Sequence, residues 1–320
     1  MDLHLYPVKN EIKVRAISDG YGATVVARKY IGFKKDYFAR TFSWQHGWIP
    51  DLWNIDRDEV IGETYLEKFK TVFVARKTQE KYLTQCGVVS KSIGLPYCYV
   101  GSPAVQRKIG SLLVMPTHST MSVGTKEDQG FVEEVKKYKD SFSEIFVCMH
   151  EEDIIRKRGE IWQKEGFKII SGASFTDANS LLRMKFLFES FEVMVTDSLG
   201  SHVPYAASSG TRISIISGER SREIDPKEPF YSGKTKTYLR KLSELIYILN
   251  TPDLSPYSFL FCNPLQAEKY VSWGQAEVGY ENMLSTEDLR DSFGWNYSEY
   301  FLQRILISLK SLKSIISKKY

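Results

Sequence analysis

Glu192-Val193-Met194-Val195-Thr196-Asp197-Ser198-Leu199-Gly200-Ser201-His202-Val203-Pro204-Tyr205-Ala206 is the stretch that decides the fold. A β-branched, apolar run over 192–196 enters a Ser/Gly turn, and a helix begins near Ser201. That geometry offers unpaired backbone N–H groups and the positive end of a helix to an anion. Ser198 and Ser201 add hydroxyls, although the same residue types also build an ordinary helix N-cap. Neither G-x-x-x-x-G-K-[ST] nor G-x-G-x-x-G occurs in the chain, which counts against an ATPase or an NAD enzyme.

Working outward, the strand–turn–helix unit repeats. The pattern predicts strands over 71–75, 111–115, 144–149, 167–171, 192–196 and 212–216. Helices are predicted over 78–86, 126–141, 151–165, 180–191 and 202–209, with Gly87, Gly166 and Gly210 as stops. Such alternation predicts an α/β fold with βαβ units, a parallel sheet and right-handed crossovers. The first hundred residues are less regular. They carry candidate strands at 12–17 and 41–45, and between them Asp19-Gly20-Tyr21-Gly22-Ala23, a glycine turn leading into a helix over 23–30. Gly94-Leu95-Pro96 and Gly101-Ser102-Pro103 are turn-rich and place a unit boundary near residue 105.

A chain of 320 residues fits two domains, and a 42% hydrophobic fraction is enough to give both a core. The net charge of +4 is too mild, and too little clustered, to suggest a nucleic-acid partner. The four cysteines are far apart without C-x-x-C spacing, which predicts reduced thiols in a cytoplasmic protein and no zinc. The N-terminus lacks the basic and apolar regions of a signal peptide. No apolar run approaches the roughly 20 residues that span a bilayer. The expectation is a soluble protein, at most peripheral to a membrane. In residues 300–320, Phe301, Leu302, Ile305, Leu306, Leu309, Leu312 and Ile316 form one helical stripe beside Arg304, Lys310, Lys313, Lys318 and Lys319. A basic amphipathic helix of this kind either packs back on the protein or lies on an anionic inner-membrane surface.

Four of the five histidines, His46, His118, His150 and His202, lie at or just beyond strand ends. In open α/β sheets the carboxyl ends of the strands are where ligands bind. In Trp44-Gln45-His46-Gly47-Trp48, an imidazole with an ordinary pKa suits a general base for a hydroxyl, and Gly47 allows close approach. A histidine bonded within its own turn would look the same. In Pro116-Thr117-His118-Ser119-Thr120, hydroxyls and an imidazole suit phosphate oxygens or, equally, an N-cap. Glu151, Glu152 and Asp153 suit the first turn of a helix by charge, which leaves His150 unexplained. A metal cage of His150 with Glu151 and Asp153 is disfavoured, because neighbouring helical residues point in different directions.

Taken together, His46-Gly47, Pro116-Thr117, His150 and Asp197-Ser198-x-x-Ser201 stand in the order used by GT-B glycosyltransferases. Over residues 40–220 the chain most resembles bacterial capsule and teichoic-acid transferases, and 196–216 resembles the C-terminal nucleotide-binding βαβ unit of that fold. The resemblance implies two Rossmann-like domains facing each other across a cleft. Residues 1–105 would form the acceptor side, 106–290 the nucleotide-sugar-binding domain, and 291–320 the basic amphipathic helix. It implies that His46 is the catalytic base or an acceptor-side residue, with Gly20, Gly22 and Gly47 on that side. It implies that Thr117, His118, His150, Asp197, Ser198, Gly200 and Ser201 hold the donor nucleotide, with no metal and no cofactor beyond the nucleotide sugar. The acceptor would be a glycan or a lipid-linked glycan. The chain departs from the pattern at Glu151, where a proline would complete an "HP" pair, and at Tyr205, where many such enzymes carry a glutamate for the ribose.

The leading expectation is a transferase of a sugar from a pyrimidine-nucleotide donor to a hydroxyl of a surface glycan. A CDP-polyol phosphotransferase would use the same histidines. A sugar-nucleotide epimerase would need carboxylates near the glycosidic carbon, for which Asp197 is the one candidate. A non-catalytic partner in polysaccharide assembly is the reading from another class.

Overall fold

Short β-branched and aromatic runs form two sheets, one parallel and one parallel but for an edge strand, in a computed structural model that describes residues 17–33, 42–51, 71–118, 129–216 and 236–295. The smaller sheet holds β1 (Phe42–Trp44), β2 (Thr71–Val74) and β3 (Ser90–Ser92) in the order β1-β2-β3. Phe42 lies opposite Thr71, and Val72 opposite Ser90. The polar run Ser90-Lys91-Ser92 carries no strand signal of its own, and pairing with β2 makes it one. Helices α1 (Ala23–Ile31) and α2 (Lys77–Gln85) accompany this sheet. The strand anticipated at 12–17 lies outside the described residues except for Ile17, which opens a tight 3-10 turn over Ile17–Gly22.

The larger sheet runs β6-β5-β4-β7-β8-β9. Its strands are β4 (Lys108–Met115), β5 (Glu144–Met149), β6 (Lys168–Ser171), β7 (Phe191–Thr196), β8 (Arg212–Ile215) and β9 (Glu268–Lys269). The first five are parallel, and β9 pairs antiparallel with β8 at the edge. Leu112, Leu113, Val114, Val193, Met194 and Val195 are all buried, as befits central strands covered on both faces. From β4 the chain moves through β5 to the β6 edge, then returns to β7 on the other side of β4. The switch point of the sheet therefore lies between β4 and β7.

The helices of this half are α3 (Gln129–Lys136), α4 (Glu151–Ile155), α5 (Glu160–Lys164), α6 (Ser180–Ser190), α7 (His202–Ser208) and α8 (Lys236–Asn250). The single helix expected over 151–165 is broken into α4 and α5. Lys157 takes a left-handed φ of 60° at the break, which sends Arg158 inward. Its guanidinium meets Asp153 at 2.7 Å and donates to the Thr117 carbonyl at 3.1 Å. The left-handed Lys157 closes α4 with the Arg158 N–H on the Asp153 carbonyl at 2.9 Å, and the inward ion pair accompanies that turn.

Beyond β9, α9 (Val271–Val278) lies against α7, and α10 (Thr286–Ser292) returns to α1. Phe293 then stacks on Phe42, centroids 4.2 Å apart, and Trp295 meets Phe293 edge-on at 5.0 Å. All three rings are buried in a cluster that also takes in Leu113, Phe146 and Met194 of the larger sheet. The boundary expected at residue 290 thus cuts through a returning segment whose aromatic rings complete the core beside the smaller sheet. The helix anticipated over 300–320 lies outside the described residues, and among those described no helix is long and apolar enough to cross a membrane.

Candidate functional site

The carboxyl ends of β4, β5 and β7 gather the polar residues singled out in the sequence. After β4, the Thr117 amide and hydroxyl both donate to Asp197 Oδ1, at 2.7 and 2.8 Å. Thr117 Oγ1 also contacts the Ser198 hydroxyl. Since the one hydrogen of Thr117 goes to Asp197, Ser198 must donate to Thr117. Three residues from two strands thus stitch the switch point together. Burial pushes the Asp197 carboxyl up, opposed by the two Thr117 bonds and by Arg158.

His118 and His150 stack face to face, centroids 4.8 Å apart and planes 17° from parallel. His150 caps α4, because its Nδ1 accepts the Glu152 N–H at 3.2 Å. This bond assigns the ring proton of the neutral form to Nε2. Nε2 is buried and has no hydrogen-bond partner among the described residues. Burial lowers the His150 pKa, while Asp153 and Glu152 raise it. The net effect favours a neutral imidazole with an unanswered N–H. Glu151 accepts the Ser174 hydroxyl, and Asp153 pairs with Arg158. Among the described residues no group of three His, Cys, Asp or Glu side chains is placed to hold a metal ion.

The 196–201 turn is busier than its sequence suggests. Leu199 N–H donates to Asn250 Oδ1 at 2.9 Å, and His202 Nε2 meets Thr196 Oγ1 at 2.9 Å. A Cβ on Gly200 would lie 3.0 Å from the His202 ring. Ser201 does not cap α7 with its side chain. Its Oγ instead accepts the Trp48 N–H at 2.9 Å, across the joint between the sheets.

His46 follows β1 on the facing side. Its half-buried ring stacks on Tyr21, 5.7 Å between centroids and 25° between planes. Tyr21 also meets His150 edge-on at 6.1 Å, so one phenol touches both histidines. Burial drops the His46 pKa to about 4 and lifts that of Tyr21 to about 12. Near neutral pH the first is an uncharged imidazole and the second a phenol. Gly20 and Gly22 permit this arrangement. A Cβ on Gly20 would lie 2.3 Å from the Phe175 ring, and one on Gly22, at φ +80°, would lie 2.5 Å from the Ala178 carbonyl. Here the two glycines seat the Tyr21 turn against the 172–179 loop.

Sequence reasoning missed Tyr21, although its place between two glycines was a signal. Arg76, which follows β2, is buried in contacts with Glu277 and with Asp51 at 2.7 Å. Lys77 is exposed and pairs with Glu80. Tyr205, set aside as a departure, is buried with its ring stacked on Tyr97 at 4.1 Å. Its hydroxyl donates to the His46 carbonyl at 3.0 Å.

No protein-family model matches the chain, and no curated protein matches it. Among solved structures, the UDP-GlcNAc 2-epimerase of Neisseria meningitidis bound to UDP-GlcNAc is similar at 11% identity, over 80% of this chain and 77% of that one, with a TM-score of 0.36. A Listeria monocytogenes structure assigned as an epimerase of the same kind is similar at 14% identity, over 79% and 74% of the two chains, with a TM-score of 0.38. The wall teichoic acid polymerase TagF is similar at 12% identity, over 71% of this chain and 59% of that one, with a TM-score of 0.33. Likenesses this shallow carry no argument about activity. The α/β architecture rests on the strand order and register of the chain itself.

Proposed function

We propose that the protein is a GT-B-type transferase that moves a sugar from a nucleotide-activated donor, of the pyrimidine class, to a hydroxyl of a surface glycan. One observation carries the reading: the buried Nε2–H of His150, unanswered among the described residues, lies at the carboxyl edge of the switch-point sheet. It stands beside stacked His118, and Tyr21 links it to His46. A donor phosphate oxygen would accept from that N–H and end the cost of burying it, about 1–3 kcal/mol for an unmade bond. His118, Thr117, Asp197, Ser198 and Gly200 would shape the rest of the donor site, without a metal ion or further cofactor. A carbohydrate hydroxyl on the His46 side would lose its proton to the imidazole as the leaving phosphate gains charge. Bound phosphate close to His46 would raise its pKa from about 4 toward the range where a base works well.

A second reading has its own support. With Tyr21 interposed between His46 and His150, and the hydroxyls of Thr117 and Ser198 already bonded, the cleft also suits a nucleotide-binding partner that performs no transfer. Two experiments separate the readings. A panel of CMP, CDP, UDP, GDP and ADP is tested for thermal stabilisation, where a ligand at about 100 times its Kd adds about 2.7 kcal/mol. Transfer of radiolabelled sugar to glycan acceptors is then compared for the unaltered chain and His46→Ala. Nucleotide binding retained with transfer reduced about 10²–10⁴-fold is the expected outcome. Binding without transfer in the unaltered chain supports the partner reading, and stabilisation by none of the nucleotides overturns both.

A further inference from the structure

The loop that bears His46 is fastened from the other sheet as well as from its own. Tyr205 Oη donates to the His46 carbonyl at 3.0 Å, Ser201 Oγ accepts the Trp48 N–H at 2.9 Å, and Glu277 Oε2 accepts the Trp48 indole N–H. Ser201 and Tyr205 sit one turn apart at the start of α7, and Glu277 comes from α9 packed against it. Between the bonded positions, Gly47 lies so close to Ser201 that a Cβ would come 2.8 Å from its Oγ. Gly274 has the same part between the helices, where a Cβ would come 2.4 Å from the Ser208 nitrogen.

From these contacts we infer that Ser201, Tyr205 and Glu277 are positioning residues that hold the 45–51 loop, and so the His46 imidazole, from the nucleotide side of the cleft. The smaller sheet contributes the rest. Gln45 Oε1 accepts the Ala75 N–H at 3.0 Å while its Nε2 donates to the Gly47 carbonyl at 2.8 Å. Arg76 donates to the Ile49 carbonyl at 2.8 Å and pairs with Asp51 and Glu277. Ser201 links the two sides directly. It belongs to the turn that follows β7, yet it grips the loop that follows β1, so a shift of that turn carries His46 with it. The catalytic meaning rests on the transferase reading, whereas the mechanical link does not.

The test is NMR titration of the full chain with labelled histidines, together with amide exchange at Gly47 and Trp48. The groups that face the loop or its histidine and titrate or carry charge are Tyr21, His150, Tyr205, Tyr257, Glu277, Arg76 and Asp51. In the unaltered chain the His46 titration is expected at about 4, because burial disfavours the charged ring. Tyr205→Phe, Ser201→Ala and Glu277→Gln each release the loop, so His46 titrates nearer its ordinary 6.5 and the two amides exchange about 10-fold faster. Thr84→Ala, on the exposed face of α2, changes neither. Should Glu277→Gln fail to fold, Tyr205→Phe, which keeps the ring stack on Tyr97, decides the matter. Unchanged titration and exchange in the folded variants overturn the positioning role. Nucleotide stabilisation is read on the same samples: its absence in the unaltered chain overturns the transferase reading, and leaves a shifted His46 titration standing as proof of the link.

Discussion

The end of β1 and the ends of β4, β5 and β7 are built to opposite plans. At the end of β1, the 45–51 loop is tied down by a set of hydrogen bonds, three of them from across the joint. At the ends of β4, β5 and β7, Thr117, Asp197 and Ser198 satisfy one another, and the buried His150 Nε2 has no partner among the described residues. The first arrangement fixes a side chain in place. The second leaves a buried donor for which the described residues supply no acceptor. Burial tunes the two histidines in the same direction, so their difference lies in bonding and not in charge.

The contrast can be broken most forcefully through the 172–179 loop, which seats Tyr21 between the two regions through a 2.8 Å bond from Tyr21 N–H to the Phe175 carbonyl. Arg183, fully buried, pairs with buried Asp177 at 2.5 Å and donates to the Gly172 carbonyl at 2.6 Å. Arg183→Met leaves the Asp177 charge without this partner and is expected to cost about 3–5 kcal/mol. Urea unfolding followed by fluorescence measures it, and a variant as stable as the parent would show that the pair is dispensable.

A pH series sharpens the same comparison. His46 and His150 both have pKa values below the ordinary histidine value, chiefly because burial disfavours the charged ring. As pH falls, the unfolded chain therefore binds their protons before the folded chain does. The contribution of His46 to stability is complete above about pH 6.5 and is lost as pH falls toward about 4, and that of His150 is likewise lost as pH falls below the ordinary histidine range. Melting temperature should decline through that window, and His46→Gln should flatten part of the decline. A decline of equal slope in His46→Gln would assign the effect to other groups. The mildest of the three changes is Gly22→Ala. Its φ of +80° and its closeness to the Ala178 carbonyl predict a loss of about 1–3 kcal/mol, and His46 should lose its ring contact with a displaced Tyr21. Calorimetry and the His46 titration read the two consequences.

Much of the larger sheet was legible because its strands are apolar runs closed by turn residues: 111–115 against Lys108–Met115, and 212–216 against Arg212–Ile215. Ser90–Ser92 was not, since a polar edge strand is defined by its neighbour. The break at Lys157 was hidden for a similar reason, because the ion pair of Arg158 with Asp153 that accompanies the turn depends on where the Thr117 carbonyl ends up. Within the candidate site, the sequence pointed to His46, Thr117, His118, His150, Asp197 and Ser198 by their places after strands. It left Tyr21, Glu277 and the loop-holding contacts of Tyr205 and Ser201 unseen.

The sequence by itself determined the alternation of strand and helix and the polar residues at the strand ends, because periodicity and turn chemistry act over a few residues. The tertiary structure alone decided which strand ends meet, that Tyr21 touches both His46 and His150, and that Ser201 faces Trp48 across 153 positions of chain. Contacts of that range follow from how two sheets and a returning C-terminal segment bury a common set of aromatic rings, and no local pattern encodes the geometry of that packing.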